Sequence, residues 1–178
     1  MNRKAFLQYV LAASAAQLCL PAFVAATGPT RSGADAASQD FARLEKSKTE
    51  WRRLLTGPQY AVLFEEDTEP AGSSPLDVEK RAGTFVCAAC ALPLFASSTK
   101  FESGTGWPSF TAPIAGRVAT KRDFTLVWPR TEYHCARCGG HQGHRFADGP
   151  RPAGTRYCNN GLALRFVPAG EPLPTLRS

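Results

Sequence analysis

A mostly antiparallel β domain behind two short helices is the fold class the sequence predicts, and three features predict it. Proline and glycine are abundant, 14 and 15 of 178 residues, which favours short strands and many turns. The apolar runs beyond the first third of the chain are brief and β-type, and Gly, Pro and Asp separate them. Two Cys-x-x-Cys pairs sit among those runs, at the spacing with which small modules clasp a metal ion. The length suits one domain with a real core. Net charge is +6 from 21 basic and 15 acidic residues, and 43% of the chain is apolar; this composition excludes a coiled coil and wholesale disorder.

Arg3 and Lys4 precede an almost uncharged stretch, Ala5 to Val24, that ends in the small residues Val24-Ala25-Ala26, which is the plan of an export signal. An amphipathic N-terminal helix is the competing reading, but no charge falls between Lys4 and Arg31. The stretch is too short and alanine-rich for a permanent anchor. We therefore expect residues 1–26 to be cleaved and no stable membrane insertion afterwards. Cleavage would leave 152 of the 178 residues, bring the charge from +6 to +4 by removing Arg3 and Lys4, and remove Cys19, leaving five of six cysteines. Asn2-Arg3-Lys4-Ala5-Phe6-Leu7 resembles a twin-arginine signal with Lys in the second basic position, a route for proteins that fold and load metal before export. The expected location is the periplasm.

Residues 27–40 lack apolar rhythm and read as a linker, the domain is expected over 41–168, and 169–178 reads as a C-terminal tail. Phe41, Leu44, Trp51, Leu54 and Leu55 fall near helical spacing. Thr56 with Gln59 has the form of a capping box opening a second helix that carries Tyr60, Val62, Leu63 and Phe64. Glu69-Pro70-Ala71-Gly72-Ser73-Ser74-Pro75 is a loop. Strand-type runs follow at Thr84 to Val86, Gly116 to Ala119, Phe124 to Trp128 and Leu162 to Val167.

Cys87-Ala88-Ala89-Cys90 and Cys135-Ala136-Arg137-Cys138 share the same two-residue gap and have 44 residues, 91–134, between them. A gap of that size lets both sulfurs of a tight turn face one ion, and two such turns complete the tetrahedral thiolate shell that zinc prefers. Four protein thiolates leave no position for water or substrate, so one structural zinc per chain is expected. Disulfides or a redox dithiol are the rival for an exported chain; the two matching pairs favour zinc.

With those four assigned, Cys158 is the spare thiol of the mature chain. It lies in Arg156-Tyr157-Cys158-Asn159-Asn160-Gly161, where Arg156 is placed to favour a thiolate and the asparagines to hydrogen-bond an oxygen near sulfur. An inert buried cysteine is the bland alternative. The three histidines fall at 134, 141 and 144. His141 and His144 suit acid-base or hydrogen-bonding work, since the sulfurs already fill the metal shell; surface or core-satisfied histidines are the alternative, and His134 reads as structural. Trp107, beside Gly106 and Pro108, either fills core or forms the apolar wall of a small pocket.

Taken together, Gly104-Thr105-Gly106-Trp107-Pro108-Ser109-Phe110, the paired cysteine knuckles, Gly140-His141-Gln142-Gly143-His144-Arg145-Phe146, Asp148-Gly149-Pro150 and Arg156-Tyr157-Cys158-Asn159-Asn160 resemble the type B peptide-methionine-R-sulfoxide reductases, from about Trp51 to Val167. The resemblance implies two small antiparallel sheets clasped by zinc, and reduction of methionine-R-sulfoxide, free or in oxidised proteins, through a sulfenic acid at Cys158. It implies proton delivery by His144, with His141 and Asn160 assisting, and substrate contacts from Trp107, Phe110 and Arg156. Many members carry a second cysteine where this chain has Thr105. We therefore expect direct recycling by an external donor of thioredoxin or glutaredoxin type. The mature chain would also lack methionine, a benefit among oxidants. A monomer is the default.

Two other classes compete. A zinc-ribbon binding module would use the basic charge, although export removes nucleic acid as a partner and no basic run with interleaved aromatics occurs. A Cys-His-Asn hydrolase would use Cys158, His144 and Asn160. Neither accounts for the Gly-Trp-Pro-Ser-Phe loop.

Overall fold

The structure, a computed structural model, describes residues 40–124 and 129–178. The expected export signal and nearly all of the linker lie outside the described residues, as do residues 125–128 of the expected Phe124 to Trp128 strand. Helix α1 (Lys48–Leu54) is closed by a reciprocal capping box between Ser47 and Glu50, and α2 (Gly57–Glu65) by the expected box between Thr56 and Gln59. Each box satisfies amide donors that a helix start leaves open, worth about 1 kcal/mol. Phe41 and Leu44 precede both helices and pack on the core from irregular chain, not from a helix. Among the described residues no helix is long and apolar enough to cross a membrane.

Among the described residues nine strands follow: β1 (Gly83–Cys87), β2 (Pro93–Ala96), β3 (Lys100–Phe101), β4 (Ser109–Phe110), β5 (Val118–Asp123), β6 (Arg130–Cys135), β7 (His141–Phe146), β8 (Arg156–Asn159) and β9 (Leu164–Pro168). They form two antiparallel sheets, β2-β1-β9 and β3-β4-β8-β7-β6-β5. Of the expected Gly116 to Ala119 run only Val118 and Ala119 are strand, at the start of β5, which continues to Asp123; Gly116, with φ +73°, and Arg117 form the turn before it. The Leu162 to Val167 run splits into a 3-10 turn, Gly161–Ala163, and β9. Strands β6, β7 and β8 carry the histidines and Cys158, and their polar sequences hide them from a hydrophobicity reading.

The core lies between the sheets and under the helices. Phe85 and Phe95 from the small sheet meet Phe110 and Tyr133 from the large one, with Phe95 stacked on Phe110 at 4.2 Å and Phe85 edge-on to it at 5.0 Å. All four are fully buried, and burial of each such ring contributes roughly 2–3 kcal/mol. Phe110, expected at the substrate, is therefore a core residue: its cross-strand neighbour is Tyr157, whereas Ser109 is the one opposite Cys158, and alternation along a strand sends the two side chains to opposite faces. The expected tail is docked, with Leu176 on the core and the Arg177 amide donating to the Cys90 carbonyl at 3.1 Å.

Candidate active site and metal knuckles

The two cysteine turns have the same build. Each starts at the end of a strand, Cys87 on β1 and Cys135 on β6, and each is closed by the amide after the second cysteine: Ala91 N–H donates to Cys87 O, and Gly139 N–H to Cys135 O, both at 2.9 Å. That closing residue has a left-handed backbone in both, φ +65° at Ala91 and +73° at Gly139, which is strain-free only for glycine. Because β1 and β6 belong to different sheets, the knuckles clasp the sheets together. All four sulfurs lie within 4.8 Å of one another, with Cys90 and Cys135 3.5 Å apart and Cys87 and Cys138 3.8 Å apart. Bonds of about 2.3 Å in a tetrahedron place sulfurs about 3.8 Å apart, so the four fit one ion. Gln142 adds an amide N–H, 3.7 Å from Cys87 Sγ. Without a cation the sulfurs compete. Hydrogen bonding, first with Cys135, pulls Cys90 far down and pushes Cys87 and Cys138 well above the usual thiol range. A cation held by the four sulfurs would relieve that conflict.

On the other side of the large sheet, β8 runs between β4 and β7 and sets Cys158 opposite both Ser109 and His144. Side chains of directly opposed residues share a face about 5 Å apart, so the register itself brings thiol and imidazole together. Both line a pocket of about 210 Å3 with Trp107, Phe146, Arg130 and Asn160. The indole N–H of Trp107 donates to the Glu69 carbonyl at 3.0 Å, which turns the ring's apolar body to the pocket.

Burial pushes the Cys158 thiol up; the Arg156 charge, with hydrogen bonding from Arg156 and Thr105, pulls it down but does not prevail. The expected thiolate-favouring role of Arg156 is thus present and outweighed. Arg156 is itself held by two bonds to Asp148, at 2.9 and 2.8 Å, and its guanidinium lies 4.5 Å from the Phe146 ring centre. His144 is lowered by burial, against the pull of Asp123, whose carboxylate lies 2.8 Å from Nε2. Arg130 reaches the same Asp123 oxygen at 2.6 Å.

His141 is not in the Cys158 pocket. It lines an adjoining acidic cleft of about 230 Å3 with Glu66, Glu132, Asp123 and His144, its ring centre 5.5 Å from that of His144. Nδ1 comes within 3.0 Å of Glu132, but the alignment is not that of a hydrogen bond, and among the described residues neither ring nitrogen has a hydrogen-bond partner although only 3% of the residue is exposed. Asn160 faces the Cys158 pocket, yet its amide is engaged: Oδ1 accepts from Glu69 N–H at 3.1 Å and Nδ2 donates to Gln142 O at 3.2 Å. Behind Cys158, Tyr133 donates to Asn159 Oδ1 at 2.7 Å, fixing the buried amide next to the cysteine. Sequence reading misses Asp123 and Glu69. Asp123 is 21 residues from its histidine, and no local pattern announces it. Glu69 sits in an apparent loop.

This arrangement defines a two-sheet cysteine enzyme with four knuckle sulfurs set to hold a metal ion: among the described residues one thiol outside the knuckles, an imidazole across the strand, and a small aromatic-walled pocket. Residues 55–168 match the SelR domain family. The chain is 50% identical over 124 residues to the peptide methionine sulfoxide reductase MsrB of Methanosarcina barkeri, covering 69% of this chain and 87% of that protein. It is 51% identical over 124 residues to its namesake in Bradyrhizobium diazoefficiens, covering 69% and 89%. Against the chloroplastic peptide methionine sulfoxide reductase B1 of Arabidopsis thaliana, identity is 46% over 133 residues, covering 74% and 65%. The chain belongs to this family, the type B peptide methionine sulfoxide reductases.

Proposed function

We propose that the protein reduces methionine-R-sulfoxide, peptide-bound or free, at Cys158. The observation that carries this reading is the pairing of Cys158 with His144 across β7 and β8, at a pocket walled by Trp107. Methyl sulfoxide recognition needs an apolar wall for the methyl group and hydrogen bonding for the oxygen, and that pocket offers both.

With its pKa lowered, His144 is neutral near neutral pH, and a neutral imidazole bonded to the Asp123 carboxylate spends its single N–H there. Its second nitrogen then takes the proton of the Cys158 thiol. The thiolate attacks the sulfoxide sulfur, the oxygen receives the proton from the imidazolium, and the substrate S–O bond breaks as oxygen passes to Cys158. Methionine leaves, reduced by two electrons, and Cys158 remains as a sulfenic acid. An external thiol displaces the hydroxyl as water to give a mixed disulfide, and a second thiol frees Cys158. Thr105 stands where many relatives carry a second cysteine, and the four knuckle cysteines are committed elsewhere, which supports a donor of thioredoxin or glutaredoxin type. His141 acts through its contact with His144, and Asn160 as a fixed wall of the pocket.

Zinc is the ion proposed for Cys87, Cys90, Cys135 and Cys138, because four thiolates are its preferred closed shell. It would tie the sheets together. The N-terminal pattern supports export to the periplasm, and the protein is taken as a monomer. A Cys-His-Asn hydrolase is disfavoured, because Asp123, not Asn160, holds the imidazole.

The test is turnover of each sulfoxide epimer with dithiothreitol, for the wild type and Cys158→Ser. Reduction of the R epimer alone, abolished by the substitution, is expected. No R turnover, or equal turnover by the variant, overturns the reading.

A further inference from the structure

Glu69 occupies a place that a loop carboxylate does not ordinarily hold. It is 3% exposed. Its two oxygens accept from consecutive amides just past the Cys158 strand, Gly161 N–H at 2.6 Å and Leu162 N–H at 2.8 Å. These amides open the 3-10 turn Gly161–Ala163 and would otherwise lack partners there. Its own backbone makes two more bonds, both to pocket residues: its carbonyl accepts from the Trp107 indole at 3.0 Å, and its amide donates to Asn160 Oδ1 at 3.1 Å. Gly161 is bound to this arrangement as well, since a Cβ there would meet Ser74 Oγ at 1.9 Å and Glu69 Oε1 at 3.1 Å. One residue thus ties three separate segments, 68–70, 107 and 160–162, at the pocket wall.

We propose that Glu69 is a positioning residue that sets the distance between the Trp107 indole and the Cys158–Asn160 segment, and thereby the enzyme's preference for an S-methyl over a bulkier S-alkyl sulfoxide. This rests on the proposed role of Trp107 as the methyl wall. The side chain anchors the Glu69 backbone to the segment that follows Cys158, and that backbone carries the indole. Without the anchor the indole is still hydrogen-bonded, but to a segment that can shift. A methyl-sized slot is the feature most sensitive to such a shift, because selectivity over one methylene depends on the wall's closeness.

The experiment compares kcat/KM for the R epimers of methionine sulfoxide and ethionine sulfoxide in the wild type, Glu69→Gln, Glu69→Ala and Trp107→Ala. Glutamine keeps one acceptor and turns an NH2 group on the other amide, so a loss on the order of tenfold is expected for the methyl substrate, the usual cost of a buried donor left unpaired. The ethyl substrate should lose much less, lowering the methyl-to-ethyl ratio at least about threefold, with most of the effect in KM. Alkylation of Cys158 by iodoacetamide should stay within about twofold, since no bond to the sulfur is touched. Equal losses for both substrates, or an unchanged ratio in Glu69 variants while Trp107→Ala changes it, overturns the proposal. An unchanged ratio in Trp107→Ala instead overturns the methyl-wall reading. Should the Glu69 variants unfold, hydrogen exchange in the wild type decides: the Trp107 indole proton and the Gly161 and Leu162 amides should exchange together and slowly, and a fast independent indole proton refutes the clamp.

Discussion

Substituting Gly143 by alanine should inactivate the enzyme without touching any reacting group. Gly143 lies opposite Asn159 in the β7–β8 ladder, and an added Cβ would stand 1.9 Å from the Cys158 carbonyl oxygen and 3.2 Å from the Asn159 Cα. Real Cβ atoms essentially never approach closer than 3.0 Å, so the two strands must part locally by roughly 1 Å. Backbone, not a flexible side chain, is what the methyl group meets, so the strain cannot be relieved by a rotamer change. The next ladder pair is His144 with Cys158, and the displacement falls on the two groups proposed to exchange a proton. A misplacement of about 1 Å costs on the order of 100-fold in rate, and overpacking of this kind costs about 1–3 kcal/mol of stability. The assay is kcat/KM for the R sulfoxide beside a thermal melt, with Gly57→Ala as control, because no atom lies within 4 Å of a Cβ built there. Wild-type activity in Gly143→Ala with an unshifted melt would refute the claim that this strand spacing sets the site.

Three further outcomes follow from the same geometry. Cys87→Ser or Cys135→Ser should lose bound metal and melt far earlier, and a chelator should do the same to the wild type, as seen by metal analysis and circular dichroism; unchanged metal content and melting temperature would refute the metal clasp. Because burial holds the Cys158 thiol above the ordinary value of 9.0, its alkylation rate should still be climbing above that pH, and Arg156→Met, which removes the opposing charge, should shift the profile to higher pH. A plateau near pH 7 would contradict this. Phe110→Ala should destabilise the fold by about 3–5 kcal/mol through the cavity it leaves, while KM in the surviving folded protein stays near wild type, as a core rather than a substrate contact requires.

The elements whose cause is local were readable from the chain itself. The Thr56 box opens α2 because a hydroxyl and an amide three residues apart satisfy each other's backbone donors wherever they occur. The knuckles are legible because a two-residue gap between cysteines has few uses, and Cys158 stood out by subtraction. Phe110 shows where such reading ends: its place in the motif is next to the pocket, but strand alternation turns it into the core. The partners of the site were beyond reach for a related reason. Asp123 meets His144, and Glu69 meets Gly161 and Leu162, only after the chain has folded back over 21 and more than 90 residues.

What the sequence determined alone was the inventory: which sulfurs could share an ion, which thiol was left over, and which aromatic and imidazole groups stood ready. The tertiary structure decided who faces whom. It set Cys158 against His144 through ladder register, moved His141 into the neighbouring cleft, and raised a thiol that Arg156 alone would have lowered. Spacing along the chain encodes short-range turns and caps, whereas register, burial and the balance between charge and desolvation exist only once distant segments share a sheet.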